Sequence, residues 1–415
     1  MKKLTISVFI LAVIGVIVVV LNFISPAKSE SSEELSLNPS QIKKVIIPKD
    51  KTVNAKDYGV KGDGLTDDTV ALQNAIDEAS NKNALLILPE SEKPYLITKQ
   101  LIISDNTHIS GYGAVLFMAP QEDTIKNMLW SNPDETVSNI SIEGLTLKSE
   151  NTIKGVDYYE NSRVSNVQGI YFQGVEAMTI NDVFMDNVYV GLKLAQTGKF
   201  KNKDITISRL EIDHSGMPIQ ISGTNGFSMV DSILNSSDGG TKWLHSAYLR
   251  GDNSNFYFEN VEFNNASGGG IAIAGNPQYN KPPENMIFKD CRIKDSVVGV
   301  HINSGAKNIT ISGLVIEGCS LGFKINEASD LSIDKVSISG SKSNENDHGG
   351  FSIENVEQAT ISNVSIDASE ITESLCLLIG NIENLRLSSF EDNNVKDIPL
   401  YSVNSTAIIK NLIIE

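Results

Sequence analysis

Cysteine is scarce in this chain of 415 residues: Cys291, Cys319 and Cys376 are three, an odd number that excludes a closed disulfide framework. Cys291 falls in the slot that Val183 and Val261 fill in other copies of a repeat, so it reads as a small buried hydrophobe. Histidine is also sparse, and no spacing among the five His and the Cys residues fits a metal site. Basic charge is short as well, with 34 Lys and Arg against 51 Asp and Glu for a formal net charge of −17. Such a surface repels nucleic acid, and an anionic polymer must be gripped by local basic residues.

A long apolar run occurs at the N-terminus, from Ile6 to Ile24 behind Met1-Lys2-Lys3, with Ala27-Lys28-Ser29 as a candidate cleavage site. At about 19 residues the run is also long enough to span a bilayer. The expectation is a signal peptide or an N-terminal membrane anchor over residues 1–29, a polar linker over 30–50, and one domain over 51–415. That domain then lies outside the cell, secreted or held to the membrane by its N-terminal segment.

What the chain does have is repetition. The pattern apolar, any, apolar, any, Asn/Asp/Gly, apolar, any, apolar recurs around Gly144, Asp182, Arg209, Asn260, Asp290 and Gly313. Looser copies centre on Asp231, Lys335, Asn363, Asn384 and Asn411. The centres lie roughly 21 to 38 residues apart, the spacing of a solenoid whose units hide their apolar faces only against one another. Alternation on both sides of the centre makes the units strands, which selects an all-β, right-handed parallel β-helix solenoid. The central Asn and Asp residues are expected to stack at a bend and satisfy backbone groups there.

A second strand follows each centre by about ten residues, usually after glycine, as in Gly169-Ile-Tyr-Phe-Gln173, Gly191-Leu-Lys-Leu194 and Gly299-Val-His-Ile-Asn303. With apolar members such as Ile170 and Phe172 pointing inward, the residues between them point out. The outward column is Tyr171, Lys193, Gln220, Tyr248, Ala272, His301, Lys324 and Ser352, flanked by Gln173, Ser222, Arg250, Ala274, Asn303, Asn326 and Glu354. Tyrosine, lysine, arginine and histidine on one ridge of an acidic protein suit a saccharide groove. Ala272 and Ala274 are expected to leave a hollow in it for a ring. His245 lies just ahead of the same strand, while His214 and His348 read as turn residues.

Ahead of the repeats stands Val53-Asn-Ala-Lys-Asp-Tyr58-Gly59-Val-Lys-Gly62-Asp63-Gly64-Leu-Thr66-Asp67-Asp68-Thr69-Val-Ala-Leu-Gln73-Asn-Ala-Ile-Asp77. Gly-Asp-Gly makes a turn, Thr66 is expected to cap a short helix, and Ala71, Leu72, Ala75, Ile76 and Ala79 form its apolar stripe. Such a helix covers the open first coil. Over residues 53–79 this segment resembles that of the pectate lyase superfamily, Asn-x-x-x-Tyr-Gly-Ala-Lys-Gly-Asp-Gly-x-Thr-Asp-Asp-Thr-x-Ala-x-Gln-x-Ala. The resemblance implies a right-handed parallel β-helix of the kind shared by polygalacturonases, uronate lyases and phage tail depolymerases, and admits calcium as an assisting ion; the residues themselves imply no cofactor.

Chemistry on the ridge divides by charge. β-Elimination of a uronate needs a cation on the carboxylate and a base beside the neighbouring proton. Tyr248, Arg250, His245 and His301 are the catalytic candidates, and Tyr171, Lys193, Gln220 and Lys324 the substrate-binding ones. The expected partner is an anionic or cell-wall polysaccharide. Hydrolysis would need two carboxylates. The column from 171 to 324 has none, leaving Asp186, Asp213, Asp238 and Asp295 in the preceding turns, with Asp213 and Asp238 the best pair. Of the motifs that resemblance to polygalacturonases would require, only Arg292-Ile293-Lys294 is present, on the other strand of its coil. A glycoside hydrolase of the same fold and a non-catalytic carbohydrate-binding or spacer module stand as alternatives.

Overall fold

The computed structural model describes residues 42–120, 124–150, 166–196, 198, 200–237, 244–275, 281–341, 349–393 and 398–415. The expected N-terminal signal or anchor and most of the linker behind it lie outside those residues, as do Asp238 and His348. Among the described residues no helix is long and apolar enough to cross a membrane.

Strands dominate from Thr52 onward, and they pair in parallel. Parallel neighbours cannot be joined by a tight hairpin, so the chain must travel around before it pairs again. Here the path between neighbours is itself made of strands, and the result is a coil. One sheet, called the groove sheet, begins at Leu101–Ile103 and passes through Ile125–Ser131, Asn166–Gln173, Val190–Ala195, Met217–Ser222, Ala247–Arg250, Gly269–Ala274 and Val298–Asn303. It continues through the start of Leu321–Ser339, then Phe351–Val356 and Cys376–Ile379, to Tyr401–Val403.

The remainder of a typical coil is a long strand that bends midway, such as Val175–Asp186, Asn202–Ser215 or Thr224–Ser236. The bend falls on the centre of the repeated pattern. Gly144, Asp182, Arg209, Asp231, Asn260, Asp290, Gly313, Lys335 and Asn363 are all left-handed, with φ from 49° at Arg209 to 69° at Gly313. Glycine lacks the Cβ that makes this backbone costly, and Asn and Asp tolerate it, so they recur there. Each bend splits the long strand into two faces, and with the groove sheet these enclose one core.

Two copies of the pattern need correction. Asn384 pairs with Gln358 and Asn411, at the corner where the long strand starts. The bend of that coil is Ser389, with φ 54°. Nor do the amides mainly serve backbone groups: they bond along the stack, from Asn260 Nδ2 to Asp231 Oδ1 at 2.7 Å and from Asn363 Nδ2 to Asp334 Oδ1 at 2.6 Å. A second ladder at the strand-start corner joins Asn308, Asn285, Asn255 and Asn225. Inside, like side chains stack between coils: Phe258 on Phe288 at 4.8 Å and Phe323 on Phe351 at 4.6 Å between ring centroids. Cys291, Cys319 and Cys376 are buried thiols whose ionisation desolvation pushes up.

The covering helix is Thr69–Lys82, with Leu72, Ala75, Ile76 and Ala79 buried beneath it. It begins later than a cap at Thr66 would place it. Thr66 instead bonds to Asp63, and the N-cap position is Asp68. The Asp68 carboxylate turns back to accept from the Lys61 and Gly62 backbone at 2.7 and 2.9 Å, and so holds the Gly-Asp-Gly turn. Asp67 takes over the capping bond, accepting from Thr69 N at 3.0 Å. Gly62 is required in that turn: its φ is 61°, and a Cβ would meet the Tyr95 ring at 2.6 Å.

Candidate functional site

Register fixes the outward column directly. Tyr171 pairs with Lys193, Lys193 with Gln220, Gln220 with Tyr248, Tyr248 with Ala272, Ala272 with His301, His301 with Lys324, and Lys324 with Ser352. The flanking column is equally in step from Ser222 through Arg250 and Ala274 to Asn303. Because parallel strands lie about 4.8 Å apart, Tyr248 and His301 stand about 10 Å apart at the backbone, on either side of Ala272. The expected hollow is absent: Ala272 and Ala274 are only 2% and 7% exposed, so they form a covered floor between longer neighbours.

Tyr248 is half-buried, and two groups frame its ring. Arg250 Cζ lies 6.0 Å from the ring centroid, and the His245 ring lies 5.1 Å from it at an angle of 39°. A small apolar cluster of Tyr189, Val190, Met217 and Leu244, separate from the main core, backs Tyr248. His245 belongs to this wall and is 8% exposed. Its Nδ1 accepts a hydrogen bond from Gly269 N at 2.8 Å. Burial, helped by the nearby His301, depresses its pKa to about 4. A neutral imidazole whose Nδ1 accepts carries its proton on Nε2, and so has no lone pair left for a substrate proton. In this form His245 packs beside the Tyr248 ring with its Nδ1 lone pair taken up by Gly269 N–H.

His301 is half-buried, with Nε2 3.4 Å from Asn303 Nδ2. Burial and the adjacent Lys324 charge lower its pKa and favour the neutral form, whose Nε2 lone pair faces the Asn303 amide across a long contact that a substrate proton must displace. Toward the other end of the column, Lys193 Nζ sits 4.5 Å from the centroid of the Tyr171 ring, and desolvation lowers the Lys193 pKa. Tyr171 in turn bonds to Gln173 Nε2. Gln220 lies between Lys193 and Tyr248, half-buried.

Two of the four turn carboxylates, Asp186 and Asp213, have partners of their own. Asp186 accepts from Lys148 at 2.8 Å and faces His214 Nδ1 at 3.1 Å. Burial raises its pKa, but these two partners outweigh it and hold the group below its ordinary value. Asp213 accepts from Asn235, and Asp238 lies outside the described residues. Arg292–Lys294 pairs with Glu262–Asn264 and Val315–Glu317, away from the groove sheet, and Arg292 meets Glu317 at 3.1 Å. Among the described residues no three or more His, Cys, Asp or Glu side chains gather to hold a metal ion.

Three features of the site were not read from the sequence. The column extends backward, since Trp130 pairs with Tyr171 and Ile102 with Trp130. Asp252, just past Arg250, draws Lys201 and Lys281 to the groove rim. The apolar wall behind Tyr248 comes from residues at and just before the starts of the groove strands, with Val190 and Met217 paired in register.

Comparison with known proteins agrees with this architecture. The family described as rhamnogalacturonase A/epimerase, pectate lyase-like, matches residues 52–155, and the right-handed beta helix region matches residues 218–372. Alginate lyase 7 of Azotobacter vinelandii is 30% identical over 145 residues, covering 31% of this chain and 17% of that protein. The chain spans less than a quarter of the length of the curated relatives it matches. Among solved structures, the A-module of Azotobacter vinelandii mannuronan C-5 epimerase AlgE4 superposes with TM-score 0.62 at 15% identity, over 85% of this chain and 100% of that one. PfbA, a surface adhesin of Streptococcus pneumoniae, superposes with TM-score 0.56 at 15% identity, over 88% and 92%. Coil stack and matches converge on the fold: the chain is a right-handed parallel β-helix.

Proposed function

We propose that this protein is an exported or membrane-tethered enzyme that binds a uronate-containing polysaccharide along the outward face of the groove sheet and cleaves it by β-elimination. The observation that carries the reading is the placement of Tyr248 and Arg250 on one side of the Ala272 strand and His301 on the other, in a column free of Asp and Glu from Tyr171 to Lys324. Export rests on the N-terminal apolar run.

With a uronate unit over Ala272, the Arg250 guanidinium pairs with the sugar carboxylate and draws charge from the carbon beside it. Neutral His301 removes the proton from that carbon, C5 of the sugar. The electron pair forms the C4–C5 double bond, the C4–O bond to the next sugar breaks, and the Tyr248 hydroxyl protonates the departing oxygen. His245 holds the Tyr248 ring from behind.

A second outcome is favoured by the placement of two proton-transfer groups across one floor. After His301 takes the proton, Tyr248 could return one to the opposite face of the same carbon, inverting it without cleavage. Alginate lyase and mannuronan epimerase both occur among the relatives, which fits a shared first step.

Incubation with alginate and with polygalacturonate in deuterated water separates the outcomes. Absorbance growing at about 235 nm marks unsaturated ends and β-elimination. Deuterium uptake without absorbance marks inversion. New reducing ends with neither signal mark hydrolysis and overturn the reading, as does binding without turnover, which would make the protein a surface module.

A further inference from the structure

The groove sheet does not start at Tyr171. Trp130 stands one strand earlier in the same column and Ile102 one strand before that, so indole, phenol and the Lys193 ammonium follow one another in register. Trp130 is half-buried and Ile102 is 44% exposed, although each lies on a strand with buried inward neighbours. Beyond Ile102 the sheet stops, its edge covered by the helix Thr69–Lys82.

A cavity of about 860 Å³ opens at this end, and Ile102 lines it. Leu96, Pro120 and the 54%-exposed Ile125 supply further apolar surface, while Lys99 and Lys126 bring two ammonium groups. Among the described lining side chains the two ammonium groups carry the charge, and the Asp67 carboxylate stands beside the lining, accepting from Thr98 Oγ1 at 2.7 Å. Lys126 is held in place by its bond to Thr98 O at 3.0 Å.

We propose that the polysaccharide groove runs from Tyr248 back past Tyr171 to Trp130 and ends in this cavity, a terminal subsite for an acid-bearing sugar unit. Resting on the polysaccharide reading, this adds where the polymer lies and what holds its far end. The indole and Ile102 take the C–H face of a sugar ring, and Lys99 and Lys126 take its anionic group. From Tyr248 to Ile102 are five strand spacings, about 24 Å, so only oligomers long enough for that path engage the subsite.

Tryptophan emission reports on it directly. The chain has two tryptophans, Trp130 and Trp243, so Trp243→Phe leaves Trp130 as the sole indole. Uronate oligomers of graded length, a sulfated galactan and a neutral glucan serve as probes. The expected result is a shift in Trp130 emission with long anionic oligomers, carboxylated or sulfated according to the acid group preferred, and none with the neutral polymer. Adding Lys99→Gln and Lys126→Gln should weaken binding about tenfold for long oligomers and leave short ones unchanged. Should Trp243→Phe fold poorly, calorimetry on Trp130→Ala gives the same reading through loss of the length dependence. Silent Trp130 with Arg250-dependent binding intact would overturn the terminal subsite and spare the groove; no binding by any polymer would overturn both.

Discussion

The side chain of Gln73 stands in for a missing strand beside Ile102. Its Oε1 accepts from Ile102 N at 2.7 Å and its Nε2 donates to Ile102 O at 3.0 Å, so one amide completes the edge of the groove sheet. Open edges recruit other chains, and this one is closed by a residue of the covering helix. Gln73→Ala leaves both backbone groups without that partner. We expect a loss of about 1–3 kcal/mol in urea unfolding and more self-association in sedimentation. Unchanged values in both would show that helix packing alone protects the edge.

On the proposed mechanism, Tyr248 and Arg250 separate chemistry from grip. Tyr248→Phe keeps the ring that packs against His245 and the apolar wall but removes the hydroxyl. Turnover should fall by about 10²–10⁴-fold with polymer affinity retained. Arg250→Ala removes the carboxylate partner and should lower both. Arg292→Ala, paired with Glu317 away from the groove sheet, should leave both unchanged. Initial rates at about 235 nm and binding isotherms for the three variants give the comparison.

The groove column was legible because strand alternation is a strict rule: knowing that Ile170 and Phe172 face inward places Tyr171 outward. What neighbours decide was not legible. Ala272 looks like a gap in sequence, yet its exposure depends on how far Tyr248 and His301 reach over it. Asn384 and Asn411 misled because asparagine serves two corners of the coil, one ladder at the bend and another at the strand start. The helix start was misplaced because Asp68 spends its carboxylate on the preceding turn. Trp130 was missed because its strand, Ile125–Ser131, carries no glycine to announce it.

His245 predicts a pH signature. Its pKa falls from 6.5 to about 4 in the fold, so the unfolded chain takes up a proton first as pH drops. The stabilisation is whole above pH 6.5 and is lost as pH falls toward 4, on the order of 3 kcal/mol for this group. His245→Gln keeps an acceptor for Gly269 N–H and does not titrate. Its urea midpoint should change less than the parent's between pH 7 and 4.5. An identical slope in both proteins would place the acid sensitivity elsewhere, with His108 and His301, also depressed by burial, the next residues to replace.

Lys335 occupies a bend that its neighbours fill with Gly313 and Asn363, at φ 54° in a left-handed backbone disfavoured for lysine. Nothing in its bend geometry needs a long side chain, while Asn363 below already bonds to Asp334 at 2.6 Å. Lys335→Asn should relieve part of the backbone cost and stabilise the chain by roughly 0.5–1 kcal/mol. Because the bend lies off the groove sheet, activity should not move with it. Thermal unfolding paired with the absorbance assay checks both. A destabilised Lys335→Asn would mean that the lysine stem shields the coil more than the bend strains it, and would limit the rule that Asn and Gly mark these corners for reasons of backbone alone.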